Sequence, residues 1–283
     1  MAIPIINNWR NYYPTAHEGL GSSYERIILN KLLLKIYDLY EIHTALEAPC
    51  FGFTGITGIN LVALAQKGVE VHLMDHDEQR LQFISDTWAS VALPVRVSYN
   101  MDYRFLQLPD RAMDLGFNFS ALWFVPDLAA FIKEFCRVVD KCILICVPNR
   151  DGIGFKGQLK GYSKDLYPDL YPQHIDIPSI KYLMQSNGWT LVEENYIDCP
   201  PWPDIGMSKE DYFQKLLGKT NQPAEKPTEP STPVSILPYY RGEDPQFEAR
   251  MLRFQAFELF APDFLKRFWA HHRYMLFTRE QTQ

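Results

Sequence analysis

The amino-acid sequence predicts an α/β fold, a doubly wound sheet of seven strands with helices on both faces. Three observations carry the prediction. Between residues 44 and 145, short apolar runs alternate with stretches of helical period, the rhythm of strands joined by helices. The run 142–147 is apolar without interruption, as a central parallel strand buried on both faces requires. A glycine-rich turn over 52–58 separates the first strand from the helix that follows it.

Each element follows from its local pattern. Ser22 and Glu25 stand at capping-box spacing, which predicts a helix over 24–40 with Ile27, Ile28, Leu34 and Ile36 on a broad apolar face. The first strand is expected at 43–46. A helix follows over 58–66, closed by Gly68, a residue suited to a left-handed cap. Residues 69–74 alternate as a second strand. The helix over 78–91 then carries Leu81, Ile84, Trp88 and Val91 on one stripe. Strands are expected at 95–99 and 113–119, and Asp127 caps a helix bearing Phe131, Phe135 and Val138.

Beyond Pro148 the pattern loosens. Residues 150–172 are rich in Gly, Tyr and Pro and read as a loop. A helix over 178–187 is stopped by Gly188, a strand follows over 190–197, and a further helix over 208–217 is stopped by Gly218. Prolines at 223, 227, 230, 233 and 238 mark 221–238 as an extended linker or lid. Residues 245–270 read as helical with a break at Pro262, and 273–278 as the last strand. The organisation expected is an N-terminal helical cap over 1–43, a principal domain over 44–200 and 245–283, and an inserted lid over 201–244.

Composition narrows the function classes. The 283 residues suffice for one large α/β domain with insertions, and 47% hydrophobic residues can fill its core. A net charge of -6 argues against general attraction to phosphate backbones, so a nucleic-acid partner is not expected. Arg250, Arg253, Lys266 and Arg267 read as solvated helix faces. Five cysteines without a CxxC pair give neither a disulfide framework nor a zinc site. Residues 1–10 lack a basic segment leading into an apolar run, and no window reaches membrane-spanning length, so a cytoplasmic protein is expected.

The chemistry is concentrated at 46–58. Glu47 ends the first strand, glycines at 52, 55 and 58 follow, and a helix begins. Glycines let a backbone approach a ligand that a Cβ would obstruct, and a helix N-terminus favours an anionic group. Asp75 ends the second strand, where a carboxylate can accept both hydroxyls of a ribose.

In these residues the chain resembles the class I S-adenosylmethionine-dependent methyltransferases, over roughly 22–147 and again at the C-terminal strands. Glu47 matches the acid that opens that family's glycine loop. Gly58, Gly68 and Asp75 match its last loop glycine, first-helix glycine and strand-two acid in spacing. Asp102 and Tyr103 stand where the family contacts adenine, and Leu108-Pro109 precedes the fourth strand as it does there. The resemblance implies a Rossmann-like methyltransferase fold whose mostly parallel sheet is closed by an antiparallel C-terminal pair. It also implies S-adenosylmethionine as cofactor, with Glu47, Gly52, Gly55 and Gly58 at its methionine end, Asp75 and His76 at the nucleoside, Asp102 and Tyr103 at adenine, and Asn118 beside it. The turn is longer than the family's, since Glu47 and Gly58 stand eleven positions apart, and Pro49 replaces an expected glycine.

A rival comes from the same glycines, whose GxxGxxG spacing resembles the nucleotide loop of extended short-chain dehydrogenases and would imply an NAD(P)-dependent reductase. Against it, no Tyr is followed by Lys four residues later, the pair that chemistry uses for proton transfer, and a full helix precedes the first strand. A non-catalytic cofactor-binding or scaffold protein is the third possibility, raised by the lengthened turn. Methyl transfer from a sulfonium needs alignment and exclusion of water more than acid–base machinery, so neither a triad nor a metal cluster is expected. Tyr12, Tyr13, Trp123 and His174 are candidate linings of a small-molecule acceptor pocket, each with packing or loop hydrogen bonding as its bland alternative. Cys142 and Cys146 read as core, and His271 and His272 receive no function.

Overall fold

The computed structural model describes residues 9–13, 18–52, 55–152, 155, 165, 167–198 and 234–279. Its strands are β1 (Thr44–Glu47), β2 (Glu70–Asp75), β3 (Arg96–Tyr99), β4 (Met113–Phe119), β5 (Val139–Pro148), β6 (Trp189–Ile197) and β7 (His272–Arg279). They form one sheet in the order β3-β2-β1-β4-β5-β7-β6. β1 to β5 pair in parallel, whereas β7 runs antiparallel between β5 and β6. A sheet that reverses on either side of β1 leaves a crevice at the carboxyl ends of β1, β2 and β4, where α/β folds bind ligands.

The helices are α1 (Gly19–Tyr40), α2 (Val62–Ala65), α3 (Glu78–Ser90), α4 (Leu128–Val138), α5 (Ile177–Ser186), α6 (Leu237–Tyr240), α7 (Phe247–Leu252), α8 (Ala256–Phe260) and α9 (Asp263–Trp269). The sheet carries an apolar cluster on each face. One gathers Ile27, Leu33 and Ile36 of α1 with Phe117 and Phe119 of β4, and Trp88 of α3. The other gathers Phe131 and Phe135 of α4 with Ile143 and Ile145 of β5, and Trp189 of β6. No described helix is long and apolar enough to cross a membrane.

Several expectations hold with boundaries shifted by a residue or two, and β4 matches over its whole length. Asp127 caps α4 by accepting the Ala130 N–H, and Asp176 caps α5 at Ser179. Three expectations are corrected. α1 begins at Gly19, so Ser22 and Glu25 lie inside it as buried residues and no capping box forms. The reason is that this first turn is packed into the protein, where Glu18 pairs with Arg26 and Glu25 with His272, so neither side chain is left to cap. The helix expected over 58–66 is reduced to 62–65, because the preceding turn runs on to Leu61 before helical geometry starts. The helix expected over 245–270 is three short ones, interrupted over 253–255 as well as at Pro262. The helix expected over 208–217, most of the proline-rich linker and Cys199 lie outside the described residues.

Candidate functional site

Glu47 and Asp75 end adjacent parallel strands and so point into the same edge of the sheet. Glu47 is buried. Its Oε1 accepts from Asn60 Nδ2 at 2.6 Å, while Oε2 has no partner among the described residues. Burial pushes its carboxyl up to about 8, against the pull of Asn60 and Arg26, and the nearby Asp75 adds to the rise. Asn60 also accepts from Arg26 Nη1 at 2.6 Å, and Arg26 Nη2 pairs with Glu18 and donates to the Ile56 carbonyl at 2.9 Å. Glu18 in turn takes the Ile56 N–H at 3.1 Å and keeps Oε2 buried without a partner among the described residues. A continuous buried network thus runs from α1 to the end of β1.

The turn after β1 follows the sheet edge closely. Cys50 N–H donates to the Met74 carbonyl at 3.1 Å, continuing β1 alongside β2. Gly52 is pressed against the end of β4, where a Cβ would lie 1.8 Å from the Phe119 carbonyl oxygen. Gly58 takes φ +70 and faces Ile84 of α3, and Gly55 faces the Glu18 carboxylate. Each loop glycine therefore has a close neighbour within its own chain.

Asp75 is fully buried and fully engaged. Its Oδ1 accepts from the Asp77 N–H at 3.0 Å and from Arg80 Nη2, and its Oδ2 from Arg80 Nε at 2.8 Å and the Cys50 thiol at 3.5 Å. Burial, with Asp75 and Glu47 nearby, raises the Cys50 thiol far above its ordinary range, so it stays a donor. His76 Nδ1 and the Tyr103 hydroxyl are 3.1 Å apart, and burial lowers the His76 imidazole against the pull of Asp75. Tyr103 is buried against Phe131. Asp102 lies outside this group, on the surface, where bidentate pairing with Arg104 holds its carboxyl down to about 2.

Asn118, buried at the end of β4, donates to the Ala48 carbonyl at 2.8 Å and so ties β4 to the turn. Trp123 is buried, with its indole N–H on the Ser120 carbonyl at 2.9 Å, which makes it packing. His174 stacks on Tyr171 with ring centroids 5.0 Å apart and meets the Val125 carbonyl through Nδ1 at 2.9 Å; burial lowers its imidazole. Tyr13 stacks on Phe83 and bonds the Thr57 hydroxyl at 2.7 Å. The side chain of Tyr12 lies outside the described residues.

Sequence reasoning passed over several partners. Arg80, Cys50, Asn60 and Arg26 complete the carboxylates, and only the five-residue interval from Asp75 to Arg80, one turn into α3, hints at any of them. At the same edge, β7 is entered through two acid–imidazole pairs, His271 with Asp198 just before it and His272 with Glu25 at its first residue. His272 stands in register with both Pro148 and Ile197, the last residues of β5 and β6.

Residues 52–142 match the family model of a methyltransferase domain. No curated protein matches the chain. Among solved structures, a candidate methyltransferase from Bacillus halodurans C-125 superposes with a TM-score of 0.53 at 14% identity, covering 89% of this chain and 99% of the other. A candidate sarcosine dimethylglycine methyltransferase from Galdieria sulphuraria gives 0.51 at 13% identity, over 88% and 84%. The magnesium protoporphyrin IX methyltransferase of Synechocystis PCC 6803, solved with bound S-adenosylhomocysteine, gives 0.51 at 15% identity, over 69% and 89%. At such identities the shared property is the fold.

Proposed function

We propose that this chain is a class I S-adenosylmethionine-dependent methyltransferase, a reading supported by the methyltransferase-domain match over 52–142, and that it binds that cofactor across the ends of β1 and β2 and methylates a small organic acceptor. One observation carries the cofactor assignment. Glu18 and Glu47 are two buried carboxyls joined through one guanidinium and one amide, and each keeps an oxygen without a partner among the described residues. Buried carboxylates without compensating charge are costly, which is why Glu47 holds its proton so tightly. The α-ammonium of an amino-acid moiety would supply the missing cation and fill the open acceptor. Nicotinamide dinucleotides carry no such group. The antiparallel β7 between β5 and β6 also departs from the six-strand order of dinucleotide folds.

When bound, S-adenosylmethionine supplies a methyl group already activated on sulfonium. The chain's own work is then to hold the acceptor in line and to exclude water. Aromatic groups at this edge, among them Phe51, Tyr103, Phe124 and Tyr171, suit a compact organic acceptor, and the net charge of -6 disfavours a polyanion. Calorimetric titration tests the reading. Saturable heat with S-adenosylhomocysteine and none with NADH is expected, and the reverse overturns it. Transfer of labelled methyl from S-adenosylmethionine to a panel of small metabolites then reports the acceptor class.

A further inference from the structure

The ribose end of the site is occupied by the chain itself. A carboxylate offers about four acceptor positions, and the four contacts of Asp75 come from Asp77, Arg80 twice, and Cys50. A ribose diol needs two of these positions. Arg80 holds the most of them, and it is buried beside two rings. Its guanidinium carbon lies 4.6 Å from the Phe51 ring centroid and 5.3 Å from that of Trp9.

Trp9 belongs to a single 3₁₀ turn, Trp9–Tyr12, docked on the first turns of α3. Arg10 covers the outer face of Trp9 at 4.3 Å and donates twice to Gln79 Oε1, at 2.9 and 2.6 Å. Trp9 meets Phe83 edge-on at 5.8 Å. Tyr13 stacks on the same Phe83 at 4.8 Å and reaches across to Thr57 in the turn after β1. Trp9 is 1% exposed, and among the described residues the turn is held by Asp77, Gln79, Arg80 and Phe83 at the start of α3 and by Thr57 in the turn after β1. A single peripheral turn can open locally at a free-energy cost below that of global unfolding.

We propose that Arg80 is an internal occupant of the nucleoside site and that residues 9–13 are the latch that keeps it there. The cofactor enters when the latch lifts and Arg80 turns away from Asp75 toward solvent. This rests on the assignment of Asp75 to the ribose, and it adds that the closed state shown by the structure excludes that contact. A ligand confined to the open state binds with its intrinsic constant divided by the open fraction, so any change that favours opening tightens apparent affinity.

The test is titration of the full chain and of two variants, Trp9→Ala and Arg80→Met, with S-adenosylhomocysteine. Trp9→Ala leaves the Asp75–Arg80 pair in place and loosens only the latch. It is expected to bind at least about fivefold tighter than the parent. Arg80→Met removes the occupant and is expected to gain roughly tenfold or more. If Arg80→Met fails to fold, because Asp75 is left buried without its partner, Trp9→Ala decides alone. Parent and variants binding equally would overturn the latch and leave the cofactor reading intact. Weaker binding by Arg80→Met would make Arg80 part of the binding surface, which also overturns it. No binding by any of the three would sink both the latch and the cofactor reading.

Discussion

At the scale of single residues, Glu47 is the most informative side chain. Its carboxyl sits near 8 because it is buried, and an ammonium placed on its open oxygen would pull that value down. Binding at pH 7 should therefore release a proton. Titrations with S-adenosylhomocysteine in phosphate and in Tris would differ by the buffers' ionisation heats, in the sense of proton uptake by buffer, and the difference should vanish in Glu47→Gln. Equal heats in the two buffers would remove the ammonium from Glu47. Gly52 makes a second residue-level prediction. A Cβ there would overlap the Phe119 carbonyl, so Gly52→Ala should destabilise by several kcal/mol, on the order of 2–4. Gly188→Ala has open space and only its left-handed backbone against it, and should cost about 1 kcal/mol. Urea unfolding of both variants measures the contrast; equal losses would show that the turn relaxes around Gly52.

Elements show what was legible and what was not. Helices α3, α4 and α5 were readable because each buries a periodic apolar face behind a local cap, as at Asp127 and Asp176, and the strands because short runs of strand character alternate with those helices. The first turn of α1 was misread because Ser22 and Glu25 have the spacing of a capping box, but Glu25 is committed to His272, 247 positions away. No local pattern encodes that pairing. The loop glycines were read for room to admit a ligand, yet Gly52, Gly55 and Gly58 each abut a distant part of the chain. Arg80 and Trp9 were silent for the same reason, since their meeting depends on tertiary packing. The Glu25–His272 pair joins α1 to the opening residue of β7 at the sheet edge, and Glu25→Gln should cost roughly 1–3 kcal/mol by disturbing a buried hydrogen bond. A thermal melt unchanged in that variant would show the pair to be without structural weight.

At the scale of the whole molecule, charge linkage sets the response to pH. Glu47 is raised to about 8 by burial, and His271, though lowered by burial, is raised on balance by the charge of Asp198. In each case the folded state binds protons that the unfolded chain has already lost, so stability falls as pH rises through the folded values. His72, His76 and His174 are lowered by burial, so their contribution is complete above the ordinary histidine value of about 6.5. Between about pH 6.5 and 8 the first group is unopposed by these histidines, and Glu47 alone contributes a loss of up to about 2 kcal/mol. Denaturant unfolding at the two pH values should show this decline, reduced in Glu47→Gln; a rise in stability over that window would contradict the assignment of buried acids.

The most direct test of the central claim is a crystal structure of the full chain grown with S-adenosylhomocysteine. The amino nitrogen is expected within hydrogen-bond distance of Glu47, the ribose hydroxyls on Asp75, and Arg80 withdrawn. A ligand bound elsewhere, with Glu47 still unpartnered and Arg80 still on Asp75, would contradict it.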